Sequence, residues 1–128
     1  MKAILILVLF YFTSAGICQN VYESSGKNLA RIDNNRVYDA SGKLAGRIDA
    51  GRVYNESGKL IGRVDGNNYY DGSGHHIGKV EGNFLYDGSG RQMARLDGTN
   101  LYDSTGGHIA KTDGLTKSQI LIYFYYFF

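Results

Sequence analysis

RVYDASGKLAGRIDAG, residues 36 to 51, recurs with small edits and without a gap through most of the chain. The period is 16 residues, marked by Tyr22, Tyr38, Tyr54, Tyr70, Tyr86 and Tyr102 at the third position and by Gly26, Gly42, Gly58, Gly74, Gly90 and Gly106 at the seventh. Self-similarity at a fixed short period marks a repeat architecture, in which each unit leaves an apolar face that only its neighbours can cover. Within a copy, two short runs with strand character, Arg36 to Asp39 and Leu44 to Asp49, flank the turn group Ala40-Ser41-Gly42-Lys43. A second turn joins successive copies, as in Asp65-Gly66-Asn67, Glu81-Gly82-Asn83 and Asp97-Gly98-Thr99. Gly and Asn there tolerate the positive φ that tight hairpins demand. Six copies predict twelve antiparallel strands: an all-β, shallow, pseudo-six-fold barrel of six hairpins.

With four residues in the first turn and two in the second, one parity holds throughout. The second, fourth, ninth, eleventh and thirteenth positions share a face, which in the second copy means Val37, Asp39, Leu44, Gly46 and Ile48. The eleventh is always small (Ala30, Gly46, Gly62, Gly78, Ala94, Ala110) and the thirteenth is aliphatic except at Thr112, so this face reads as the interior, open to a close approach. The opposite face collects Arg36, Tyr38, Ala45, Arg47 and Asp49. It sets Arg31 beside Tyr38, Arg47 beside Tyr54, Arg63 beside Tyr70, Lys79 beside Tyr86 and Arg95 beside Tyr102, where an exposed cation-π contact contributes about 0.5 to 1 kcal/mol. Tyr38, Tyr54, Tyr70 and Tyr86 are candidate platforms for a carbohydrate or other small ligand; cross-strand packing is the plainer account of the same rows.

Composition bounds the rest. At 128 residues there is room for one domain, and 18 Gly with no Pro, 11 Tyr and no Trp suit many tight turns between aromatic strands. One Cys rules out an internal disulfide framework, and a net charge of +2 gives no bulk field for nucleic acid. Met1 to Gln19 has the zones of a secretory signal: Lys2, an apolar run from Ala3 to Phe12, then small residues through Cys18. An uncleaved anchor is the competing reading, although the run is short for a span of roughly 20 residues. Ala15-Gly16-Ile17-Cys18 also resembles a lipoprotein signal with Cys18 as the acylated residue, a pattern from which bulky Ile17 departs. The chain thus divides into a signal peptide at 1–18, a hairpin domain at 19–114 and a hydrophobic segment at 115–128, and it is expected to be secreted or held at the cell envelope.

Twelve strands enclose more space than wall side chains fill, since about eight suffice for a filled barrel. Ile120 to Phe128 is apolar or aromatic throughout and must avoid water, which makes it the candidate plug. Thr116-Lys117-Ser118-Gln119 matches a capping box, with Leu115 and Ile120 placed as a hydrophobic staple, so a helix is expected despite the strand preference of Ile, Tyr and Phe. Twelve helical residues rise about 18 Å, against a wall on the order of 12 to 16 Å tall. Phe127 and Phe128 are therefore expected at or beyond the far rim. That rim carries the SGK-type turns, with Lys27, Lys43, Lys59, His75 and Arg91 at the eighth position. Basic groups around an aromatic tip suit an anionic membrane surface or another envelope component; ordinary solvated turn charges are the alternative.

Six copies of the form V-Y-D-x-S-G-K-x-I-G-R-I-D-G over Asn20 to Gly114, followed by an apolar tail, resemble the beta-flower proteins. The resemblance implies a shallow pseudo-symmetric barrel akin to the Tubby C-terminal fold, with a hydrophobic helix threaded through it, and carries over no catalytic residue. Tyr-Asp-x-x-Gly-Lys-Leu at Tyr38 to Leu44 also looks like the YD repeats of large secreted shell proteins, which need many more copies.

Other chemistry is thinly represented. His76 and His108 sit at equivalent positions two copies apart, nearly 20 Å across four strands at about 4.8 Å each, too far for one metal. Asp65-Gly66-Asn67 lacks the spaced carboxylates of a calcium loop. The repeat strands are about half the 9 to 11 residues that a membrane-spanning strand needs. No catalytic, metal or cofactor site is expected. The sequence favours a monomeric, non-enzymatic module that binds a membrane surface or partner through its basic rim and aromatic tail, with ligand binding on the Tyr rows as the second reading.

Overall fold

The computed structural model describes residues 19–128, so the signal and lipidation readings, Cys18 included, lie outside the described residues. Twelve strands close into one antiparallel barrel in sequence order, the first pairing with the last. They are β1 (Asn20–Glu23), β2 (Asn28–Asp33), β3 (Arg36–Asp39), β4 (Leu44–Asp49), β5 (Arg52–Asn55), β6 (Leu60–Asp65), β7 (Asn68–Asp71), β8 (His76–Glu81), β9 (Phe84–Asp87), β10 (Gln92–Asp97), β11 (Asn100–Asp103) and β12 (His108–Asp113). One helix follows, α1 (Lys117–Tyr126). The predicted turn lengths hold: four residues inside each copy, two between copies. In the first inter-copy turn Asn34 and Asn35 have φ of 56° and 67°, the left-handed pair that matches the twist of the flanking strands.

The turn inside each copy is built by the residue at the end of its short strand. The Asp39 carboxylate Oδ1 accepts from Ser41 N (3.0 Å), Ser41 Oγ (2.7 Å) and Lys43 N (3.0 Å). Asp87 and Asp103 repeat the pattern, and Asp71 keeps its two backbone bonds. Asn55 does the same with an amide oxygen. These bonds hold all four carboxyls below the usual carboxylate range: the hydroxyls of Ser41, Ser89 and Thr105 act most on Asp39, Asp87 and Asp103, and the His75 amide acts most on Asp71. A carboxyl more acidic folded than unfolded adds stability above its unfolded pKa, near 3.9, and loses it as pH falls through the lower folded value. The fourfold variant Asp39→Asn, Asp71→Asn, Asp87→Asn, Asp103→Asn is accordingly expected to shift acid unfolding, followed by circular dichroism from pH 5 to 2, to lower pH. Its turns survive because Asn55 already shows that an amide serves.

The expected parity needs one correction. Val37 pairs with Gly46 but Tyr38 pairs with Leu44, so Ala45 is an extra residue, and the same shift recurs in every copy. A bulge of this kind breaks the alternation of the strand that carries it. The ninth and tenth positions consequently exchange faces: Leu44 is 37% exposed beside Tyr38, whereas Leu29, Ala45, Ile61, Ile77, Met93 and Ile109 pack against the core. The second and eleventh positions line the interior as expected, with Val21, Val37, Val53, Leu85 and Leu101 essentially without solvent contact.

α1 fills the centre. Gln119 N donates to Thr116 Oγ1 (3.2 Å) and Thr116 N to Gln119 Oε1 (2.9 Å), which completes the capping box, while Lys117 Nζ donates to Gly82 O (2.9 Å) and ties the helix start to the wall. Ile120, Leu121, Ile122 and Tyr123 are buried. A helix apolar on every side belongs in a core, and here the core is the ring. The plug leaves a crevice of about 440 Å³ beside its first turn, bordered by Val64, Tyr69, Val80, Lys117 and Leu121. β1 starts, and α1 starts, at the rim of the inter-copy turns; α1 ends toward the opposite rim.

Candidate functional site

The far end of α1 meets three glycines in three consecutive copies. Tyr125 lies on Gly78, Tyr126 on Gly62 and Phe127 on Gly46; a Cβ at those glycines would stand 2.4, 2.1 and 2.7 Å from the respective rings. The hydroxyls continue through the space so left. Tyr126 Oη donates to Tyr70 O (2.7 Å), with Arg63 O at 3.2 Å, and Tyr125 Oη donates to Tyr86 O (2.8 Å), with Lys79 O at 3.1 Å. Arg63 with Tyr70, and Lys79 with Tyr86, are register partners, so each hydroxyl uses the spare lone pairs of a ladder already formed. Burial pushes Tyr126 up to about 12 and raises Tyr125 as well. Tyr69 stacks on Tyr125 with centroids 4.3 Å apart.

This seating changes the expected position of Phe127. It is half-buried against Gly46 rather than projecting past the rim, because the helix ends at Tyr126 and the following turn folds Phe127 back toward the wall. Phe128 is 54% exposed. At the same end of the barrel Lys27, Lys43, Lys59, His75 and Arg91 are all exposed on the turns inside the copies. His75 Nδ1 is 3.5 Å from Asp71 Oδ2, the one side-chain contact to a carboxylate made by these five residues among the described residues.

On the outer wall the Tyr rows are largely spoken for. The guanidinium of Arg31 lies 4.4 Å from the centroid of Tyr38, Arg47 4.2 Å from Tyr54, Arg63 4.5 Å from Tyr70 and Arg95 4.5 Å from Tyr102. The same arginines pair along the strand with Asp33, Asp49, Asp65 and Asp97. Tyr86 faces Lys79, whose Nζ is 3.6 Å from Glu81. His76 and His108 are structural: Nε2 of each meets Asn68 or Asn100 Oδ1, at 3.1 and 3.0 Å, and each ring sets its edge to the Tyr of its own copy, Tyr70 or Tyr102. Among the described residues no three His, Cys, Asp or Glu side chains converge as metal ligands.

A family model described as 5-fold beta-flower protein matches residues 17–128. The chain belongs to the beta-flower family. This beta-flower chain closes with six hairpins, where that description says 5-fold. The beta-flower family is not a known enzyme family. Comparison with curated proteins and with solved structures found no match. No helix among the described residues is long and apolar enough to cross a membrane.

Proposed function

We propose that this beta-flower chain is an exported, non-enzymatic docking module that settles on an anionic membrane surface through the rim carrying Lys27, Lys43, Lys59, His75 and Arg91. The observation that supports this most is Phe128, more than half exposed just past a helix whose other aromatic residues are buried or half-buried and which runs toward the rim of the exposed basic turns. A lone aromatic residue can sit in the headgroup region while basic side chains meet the lipid charge, each Lys or Arg near such a surface contributing about 1 kcal/mol. Export rests on the signal-like first 18 residues.

Flotation with vesicles tests it. The protein is expected to rise with phosphatidylserine-containing vesicles and to stay down with phosphatidylcholine alone. The triple variant Lys43→Glu, Lys59→Glu, Arg91→Glu removes about 3 kcal/mol of attraction, more than a hundredfold in partitioning, and Phe128→Ser weakens it further. Phe127 is left alone because it supports the fold. Equal flotation with neutral vesicles, or binding indifferent to the charge reversals, would overturn the proposal.

A further inference from the structure

Among the described residues the belt of stacked Tyr and paired charges loses both its stack and its charge pair at the seam where β1 meets β12; the Tyr86 ring has no cation stacked on it but keeps the Lys79–Glu81 pair beside it. At the seam Tyr22 pairs with Lys111, the positions that carry the Arg-Tyr stack elsewhere, and Asn20 pairs with Asp113. Among the described residues no cation lies over the Tyr22 ring, and Lys111 makes no ion pair with Asp113, whereas all five equivalent pairs in the other copies do form. Glu23 replaces the turn-building Asp, and among the described residues its carboxylate receives only the Ser25 hydroxyl. Where four other copies have a guanidinium on the ring, the seam has a groove of about 340 Å³ lined by Tyr22, Glu23, Ser25, His108, Lys111 and Asp113.

We infer that this groove binds a pyranose sugar, one or two units long, with Tyr22 as the stacking platform. The π face of an aromatic ring is electron-rich and attracts the polarised C–H edges on the flat side of a pyranose. Beside it in the groove are the Glu23 and Asp113 carboxylates as acceptors and the Lys111 ammonium as donor, with the Ser25 hydroxyl already donating to Glu23; such a few polar groups fix a ligand's orientation. The volume lies at the low end of small-molecule sites, roughly 300 to 1,000 Å³, which excludes longer chains held end to end. Tyr38, Tyr54, Tyr70 and Tyr102 cannot serve in the same way while arginine covers them.

The decisive variant is Lys111→Arg, which restores the stack present at the four covered tyrosines and so closes the groove without removing any group of the core. Cellobiose, maltose and chitobiose are titrated into the full chain up to about 10 mM, a range that captures millimolar dissociation constants, with amide shifts at Tyr22, Glu23 and Lys111 as the readout. Saturable shifts with at least one sugar are expected, weakened tenfold or more by Lys111→Arg and by Tyr22→Leu, and unchanged by Tyr54→Leu. If Lys111→Arg proves unfolded by its circular dichroism melt, Tyr22→Leu decides alone. No saturable shift with any of the three sugars overturns the inference, as does binding that survives closure of the groove or loss of the Tyr22 ring.

Discussion

A chain ended after Gly114 is expected not to fold cooperatively. Its six hairpins would remain intact as sequence, but the ring would lose Ile120, Leu121, Ile122 and Tyr123, all buried, and the aromatic residues that cover Gly46, Gly62 and Gly78. Burying one large apolar side chain contributes about 1.5 to 3 kcal/mol, so these four alone supply about 6 to 12 kcal/mol, comparable to the whole stability of an ordinary domain, about 5 to 15 kcal/mol. The wall cannot compensate by closing in, because twelve paired strands fix its circumference. A thermal melt read by near-ultraviolet circular dichroism should show no transition for the truncated chain, and a sigmoidal melt near that of the full chain would refute the plug as the source of stability.

The second large effect is expected from one methyl group. Gly62→Ala places a carbon 2.1 Å from the Tyr126 ring, which cannot retreat without breaking its hydroxyl bonds to Tyr70 and Arg63. Overpacking of a filled core costs about 1 to 3 kcal/mol, and losing the buried hydroxyl's partners adds about 1 kcal/mol or more. Ala30, Ala94 and Ala110 occupy the same position elsewhere in the ring, so the wall itself accepts Ala there and the obstacle is the ring of Tyr126. Ala94→Gly should lose less, about 1 to 2 kcal/mol, from the backbone entropy cost of Gly and the loss of one buried methyl group. Urea midpoints of the two variants separate the cases; equal losses would mean that the glycine matters for its backbone and not for the space it leaves.

That comparison also shows how far the residues speak for themselves. Tyr at the third position and Gly at the seventh of every 16-residue copy set the turn lengths, the strand count and the Arg-Tyr pairs, because each follows from nearest-neighbour geometry repeated six times. The capping box was legible for the same reason, since Thr116 and Gln119 act within one turn of helix. Two things were not. The bulge at the tenth position leaves no local signature beyond an aliphatic run, as in Leu60-Ile61, and alternation then misplaces Leu44 and Ala45. The rotation of α1 inside the ring is set by which eleventh positions are Gly and which Ala, read against three successive aromatic residues at 125–127. That match joins residues some 50 to 80 apart in the chain and becomes visible only once the helix is known to lie inside. The seam escaped as well, since pairs read between consecutive copies omit the one pair that joins the last copy to the first.

The first strand begins at one mouth of the barrel and the helix that threads it ends toward the other. The described barrel consequently has two unlike ends. Anything joined ahead of Gln19, whether a lipid, a fused domain or a bead in an assay, holds the protein by its inter-copy mouth and presents the lysine-bearing mouth outward, roughly one strand length away. A tether at that end would make the barrel a bridge between two surfaces and would keep it from lying back on the surface that holds it.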